Sequence, residues 1–317
     1  MGQSMLFLAV ALPVCLAIVV ISAGYFVKGA VAIAHRLSVP EFIVGSVIVA
    51  IGTSAPEVAI NVSAVLDNAG DIVISNIIGS NIVNVGLGIG IAGMLMTFEK
   101  ARPEYTKTVF LGLFGATALL INTLFTSQNG ISTVSTLFSI GLIAAFAYFM
   151  IRSLTNSDGE DDEEFDANTA LWLAVLLVFG GAVAMAFFSD LAVGYAVEIS
   201  TRLGIPEAVI GATVIAAGGS LPEVSSCIAT ARIKRPNLIL GNIAGSQIFN
   251  ILGILGLSGM ISSFTYKSYL WVDIGILIVM TLILLLCMNR PGPRKFKGPL
   301  LLASYGAYAA YLIIIAL

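Results

Sequence analysis

Two glutamates carry the chemistry that this chain advertises. Glu57 lies in GTSAPEV (Gly52 to Val58) and Glu223 in GGSLPEV (Gly218 to Val224), each well inside an apolar run. A carboxylate at the centre of a membrane span costs on the order of 3 kcal/mol on insertion scales, so its presence asks for a use. No Lys or Arg lies beside either motif to pair with the acid. Each Glu follows a proline, Pro56 or Pro222, which removes a backbone donor and clashes with the carbonyl four residues back, at Gly52 or Gly218. A helix must bend or open there, and the glycines upstream ease that opening. Freed carbonyls are tolerated at membrane depth only where they line a cavity or meet a ligand.

A second polar set follows each motif: Asn76, Ser80 and Asn84 after the first, Asn242, Ser246 and Asn250 after the second. Ser80 and Asn84 are four residues apart and share one helix face. Gly79 and Gly245, in NIIGS and NIAGS, are expected to let these helices pack closely. Carboxylate, carbonyl, hydroxyl and amide oxygens without nearby His or Cys suit hard cations rather than zinc or copper. Ca2+ accepts about six to eight such oxygens in flexible geometry, whereas Mg2+ holds its waters and demands an octahedron. Two carboxylates are neutralised by one Ca2+ or by two Na+, and that equivalence is a physical basis for exchange. Left empty, such a pair tends to take up protons.

The elements that must position these groups are membrane helices. Of 317 residues, 58% are hydrophobic and only 10% charged, with a mean hydropathy of +1.01, far above a soluble domain. Ten spans of roughly 20 residues or more are expected, at about 5–35, 40–66, 71–95, 107–126, 131–152, 169–200, 206–231, 236–262, 269–289 and 298–317. The fold class is therefore an all-α integral membrane protein. The N-terminal run lacks the basic start of a signal peptide and reads as the first span.

The spans form a repeat. Sliding the sequence by 166 residues aligns Leu37 to Asn84 with Leu203 to Asn250 without a gap, and 16 of the 48 positions are identical. With five spans in each copy, the second enters the bilayer from the opposite side, which gives two inverted five-helix repeats. The expected organisation is a first repeat at 1–152, an acidic linker at 153–168 and a second repeat at 169–317. Loops on one side then carry twelve basic residues, among them Arg36, Lys107, Arg152, Arg235 and Lys297, against Arg202 and Lys267 on the other. The basic side is expected to be cytoplasmic, with both termini external and the linker inside the cell. That linker, with seven acids in SDGEDDEEFD, lacks the ligand spacing of an EF-hand loop and reads as a solvated connection.

Several patterns carry no function. Gly88 to Gly93 fits a dinucleotide-binding GxGxxG by letter, but no strand-turn-helix unit surrounds it. Asn61-Val62-Ser63 is a glycosylation sequon buried in a span. His35 is the sole histidine and has no nucleophile beside it; Cys15, Cys227 and Cys287 show no metal-ligand spacing. Neither an enzyme nor a nucleic-acid-binding protein is expected, and no resident cofactor.

The duplicated GTSAPE and GGSLPE, each followed by N-I-x-G-S-x-I-x-N, resembles the two alpha-repeats of the sodium/calcium exchanger family, within the calcium/cation antiporters, in its prokaryotic form. The resemblance implies a site at the membrane centre built by the second, third, seventh and eighth spans, with Ca2+ and Na+ as transported ions. It implies that Glu57 and Glu223 bind Ca2+ with the carbonyls of Thr53 and Gly219. It implies that Na+ uses Ser54, Ser220, Ser80, Ser246 and the carbonyls of Ala50 and Ala216, with Asn84 and Asn250 near the central position. It further implies that the long first and sixth helices slide past this core. Two positions depart from the pattern: Gly219 stands where many members have Thr, and Asn250 where several have Asp. The Asn removes a titratable group, which argues against potassium dependence and leaves the sodium stoichiometry open.

The expected activity is Na+/Ca2+ antiport by alternating access in the cell membrane, among membrane lipid, with oligomeric state undetermined. The nearest alternative is proton/Ca2+ exchange. A cation channel is less consistent with inverted repeats and broken helices.

Overall fold

The computed structural model describes residues 4–37, 39–96, 103–155, 169–206, 210, 214, 216–289 and 297–316. The acidic linker expected at 153–168 falls almost wholly outside the described residues. So does much of the first half of the seventh span.

The chain is built from helices in membrane-crossing lengths. In order they are α1 (Met5–Arg36), the bent pair α2 (Glu41–Thr53) and α3 (Ala55–Leu66), α4 (Gly70–Leu95), α5 (Pro103–Thr126), α6 (Thr136–Thr155) and α7 (Leu171–Arg202). The second half continues with α8 (Ala216–Gly219), α9 (Leu221–Arg232), α10 (Pro236–Ile261), α11 (Trp271–Asn289) and α12 (Lys297–Ala316). Among the described residues, eight helices are long and apolar enough to cross a membrane, and α2–α3 makes a ninth bent by 50°. These match nine of the ten expected spans.

One boundary is corrected. The fifth span was expected from residue 131, but Ile131–Val134 is a strand, β1, and its helix begins at Thr136. Three of those four residues are β-branched, and they follow a turn with Asn129 and Gly130 at φ 52° and 79°. β1 pairs antiparallel with β2 (Phe264–Lys267), with Ile131 opposite Lys267 and Val134 opposite Phe264. The ribbon joins the two repeats at one end of the bundle. Hydroxyls pin it: Thr123 Oγ1 and Tyr266 Oη lie 2.6 Å apart, and Ser132 Oγ and Ser268 Oγ 2.8 Å apart. The other end of the bundle, where α7 begins, is the linker end.

Burial follows a layered logic. The best-covered spans are α4 and α10, 78% and 94% buried along their most apolar stretch, against 22% for α1 and 17% for α7. α4 and α10 are thus central. α1 and α7 pack along each other on the outside, with Phe26 fully buried against Gly181 and with Gly29 against the Ala174 carbonyl.

At the linker end the backbones of α2 and α10 touch. A methyl added at Gly241 would overlap Phe42, and one at Gly245 would overlap Ser46. The close packing expected of Gly245 is therefore present, while Gly79 meets no described atom within 4 Å. Arg235 Nη1 donates to Glu41 Oε1 at 2.9 Å in a pair only about a tenth exposed, and the rings of Phe42 and Tyr105 stack at 4.0 Å.

Candidate cation site

The two motifs fold alike. The helix breaks at Ser54 (φ −85°, ψ 12°) and again at Ser220 (φ −92°, ψ 11°), both in the sparsely populated bridge region. Pro56 and Pro222 then fall in the first turn of the next half-helix, where a missing N–H costs nothing. Glu57 and Glu223 share that first turn, where the helix dipole favours negative charge. The expected opening is present, two residues before each proline.

All this chemistry is buried. Glu57, Glu223, Ser54, Ser220, Ser246 and Asn250 are 0% exposed, Thr53 and Asn84 1%, and Ser80 2%. Ser54 Oγ donates to Glu223 Oε1 at 2.8 Å, joining the repeats across the centre. Glu57 and Glu223 lie within electrostatic range of each other, and Ser80 sits beside Glu57. Ala50 is buried, and its carbonyl accepts the Ser54 N–H at 3.0 Å. Thr53 Oγ1 turns back onto the Val49 carbonyl at 3.0 Å. Gly219 ends α8 at the second break; the side chain of Ala216 lies outside the description.

The second polar set converges on the same place through packing. α9, which carries Glu223, rests on the segment Asn84–Ile89 of α4; α3, which carries Glu57, rests on the segment Phe249–Ile254 of α10. Both segments are wound as π-helix, as is Gly45–Val49 in α2. Such windings inside α-helices frequently occur at functional sites.

Eight buried oxygens in these motifs have no hydrogen-bond partner among the described residues: both of Glu57, Oε2 of Glu223, the hydroxyls of Ser220 and Ser246, and the amide oxygens of Asn84, Asn242 and Asn250. An unpaired buried polar atom costs about 1–3 kcal/mol, and here unpaired oxygens, three of them carboxylate, outnumber the unpaired amide groups of Asn76 and Asn84, an excess of acceptors complementary to a cation. Among the described residues no group of three or more His, Cys, Asp or Glu forms a metal cluster. Neutral oxygens around two carboxylates are the ligand set of a hard ion.

Two residues escaped the sequence. Asn81 is fully buried and its Oδ1 accepts from Asn250 Nδ2 at 3.4 Å, bridging the two polar sets. Its repeat mate Gln247 donates to Thr281 Oγ1 at 2.7 Å, tying α10 to α11. The available signal was their register, since the two positions are 166 residues apart within aligned motifs.

A cavity of about 430 Å3 lies on the ribbon side of this centre and abuts it at Gly219, short of the two enclosed glutamates. Pro56, Gly218, Gly219 and Pro222 form its floor; Asp71, Ser75 and Asn76 of α4 face Ser189 and Asp190 of α7 along its walls. Asp71 marks its mouth, because Asp71 Oδ1 accepts the backbone N–H of Lys267 in the ribbon at 2.6 Å. The route from the linker end is shut by the packing of α2 on α10.

An inverted-repeat helical membrane protein with broken helices around buried carboxylates is the architecture of an ion carrier. The model of the sodium/calcium exchanger protein family matches residues 7–155 and 173–314, and the chain belongs to that family. It is 29% identical to the sodium/calcium exchanger MaX1 of Methanosarcina acetivorans, over 92% of this chain and 94% of that protein. It is 31% identical to the putative antiporter CaxA of Alkalimonas amylolytica, with the same two coverages. The fold superposes on the sodium-calcium exchanger NCX_Mj, soaked with Na+ and Sr2+, with a TM-score of 0.81 at 26% identity, over 97% of this chain and 99% of that one. The chain is thus a multi-pass membrane transporter that exchanges cations including Ca2+, and not an enzyme.

Proposed function

We propose that this protein exchanges Na+ for Ca2+ by alternating access, with both ions competing for one central site. The observation that carries the proposal is the Glu57 and Glu223 pair, fully buried at matched helix breaks, with Ser54 of the first motif hydrogen-bonded to Glu223 of the second. Glu57 and Glu223 supply the charge for Ca2+, with the carbonyls of Thr53 and Gly219. Ser54, Ser220, Ser80 and Ser246, the carbonyls of Ala50 and Ala216, and the amides of Asn84 and Asn250 make up the Na+ ligands.

The exchange rule follows from charge. Two carboxylates cannot stay ionised in a low-dielectric core without about two positive charges, so the carrier crosses loaded with one Ca2+ or with two or more Na+. The cavity at the ribbon end and the closed backbone packing at the linker end support a carrier drawn in one of its two access states. The α1 and α7 pair, lightly buried and packed mainly on itself, is the element that slides. The basic loops put the linker end in the cytoplasm, so the ribbon end and both termini are external.

The experiment is flux in proteoliposomes. An outward Na+ gradient drives uptake of radioactive calcium, and removing the Na+ gradient abolishes it while a proton gradient does not replace it. Uptake that follows the proton gradient instead would overturn Na+ coupling.

A further inference from the structure

The inverted repeats predict that the two access routes are lined alike, but at two positions they are not. Asp190 lines the ribbon-end cavity from α7, and its repeat mate on α1 is Gly24; Asp71 lines it from α4, and its mate on α10 is Asn237. One route carries two carboxylates where the other carries none at the equivalent places.

Asp190 sits deep. It lies twelve residues before Arg202 at the end of α7, a helical rise of about 18 Å. An acid at that depth is tolerated when it faces a cavity that water can enter, and the exposed Asp190 lines one. Beside it, Ser189 is only 4% exposed, lines the same cavity and has no hydrogen-bond partner for its hydroxyl. A buried hydroxyl left unpaired in a helix, where the carbonyl four residues back is within reach, points to a ligand in the cavity. Across from it, the Asn76 Nδ2 is also unpaired, and the Asn76 Oδ1 approaches the position a side chain at Gly219 would occupy, which joins this wall to the central site. Asp71 gives one oxygen to the Lys267 N–H; its Oδ2 lies 3.9 Å from Lys267 Nζ, so Asp190 is the less compensated charge.

Size decides what is bound. At about 30 Å3 per water, the cavity of about 430 Å3 holds roughly fourteen, enough for an ion with its hydration shell. We infer that the ribbon-end vestibule is a second, staging site for a hydrated divalent cation, with Asp190 and Asp71 as its charges and Ser75, Ser189 and Asn76 as its neutral oxygens. Attraction doubles with ion charge, so the site concentrates Ca2+ over Na+ before the ion sheds water at Glu57 and Glu223. The equivalent stretch of the linker-end route lacks these charges, and cation capture is therefore lopsided. This inference rests on the exchanger function proposed above.

The test measures the apparent KM for Ca2+ separately at each face, in oriented vesicles. Asp190→Asn raises the ribbon-face KM about three- to tenfold and leaves the linker-face KM in place, whereas Asp190→Glu, which keeps the charge, restores the ribbon-face value. In the unaltered protein, raising ionic strength with choline chloride raises the ribbon-face KM more steeply than the linker-face KM. An unchanged ribbon-face KM in Asp190→Asn, an equal rise at both faces, or equal salt dependence at the two faces overturns the staging site. Absence of any exchange by the unaltered protein overturns the exchanger function instead.

Discussion

Ser54 Oγ donates a hydrogen bond of 2.8 Å to Glu223 Oε1, across 169 residues of sequence and between the two repeats. Neither residue can do this from within its own half. The hydroxyl reaches the acid because both helices break at the same motif position and their broken ends meet at the centre. One bond therefore reports the assembled site.

Glu57→Gln and Glu223→Gln each keep shape and remove one of two buried charges. Each is expected to abolish Na+-driven calcium uptake, with apparent Ca2+ affinity falling at least about tenfold to a hundredfold, the worth of a charged contact of about 1.5–3 kcal/mol. The check is radioactive calcium flux alongside an unchanged size-exclusion profile. Flux near that of the unaltered protein in both variants would remove these residues from the site.

Ser54→Ala deletes the donor to Glu223 and leaves the acid with one fewer partner. Exchange is expected to weaken several-fold, with a shifted Na+ dependence. Ser63→Ala in α3, outside the motif, serves as the comparison. The measurement is Na+ inhibition of calcium uptake; equal effects from the two substitutions would sink the assignment of Ser54.

Protons are expected to compete with Ca2+. Both carboxylates must be ionised to hold the divalent ion, so lowering the pH from about 8 to about 5 raises the apparent KM for Ca2+, while saturating Ca2+ recovers the rate. A KM that stays flat across that range would contradict ion binding by the Glu57 and Glu223 pair.

Gly245→Ala places a methyl against the Ser46 backbone. The α2 and α10 backbones must then separate, at an expected cost of about 1–3 kcal/mol and a lower melting temperature in detergent. Gly141→Ala in α6, where nothing lies within 4 Å, is expected to be neutral or to raise stability by up to about 1 kcal/mol. Equal melting temperatures in the two variants would refute the close-packing role.

Glu41→Gln removes the charge from the largely buried Glu41 and Arg235 pair, and a loss of about 1.5–3 kcal/mol, the worth of a charged hydrogen bond, is expected. A double-mutant cycle with Arg235→Met, read by thermal unfolding, isolates the coupling. A coupling near zero would show that the pair contributes nothing to linker-end closure.

The membrane class, nine of the spans now visible, the duplication and the two acids are legible without coordinates, because each is carried by residue type and position alone: runs of apolar residues, a constant offset of 166 and carboxylates where lipid forbids them. The sequence did not reveal the ribbon, since Ile131–Val134 is as apolar as the start of a helix and only pairing with Phe264–Lys267, more than a hundred residues away, makes it a strand. Nor did it reveal Asn81 beside Asn250 or Asp190 beside the cavity, because a polar residue in a span has no direction until its helix has neighbours. Among the described residues, the difference between the two ends emerged from packing alone. Both ends carry the same motif, so the motif cannot tell them apart: Gly241 and Gly245 pack one end backbone to backbone, while a cavity lies between α4 and α7 toward the other.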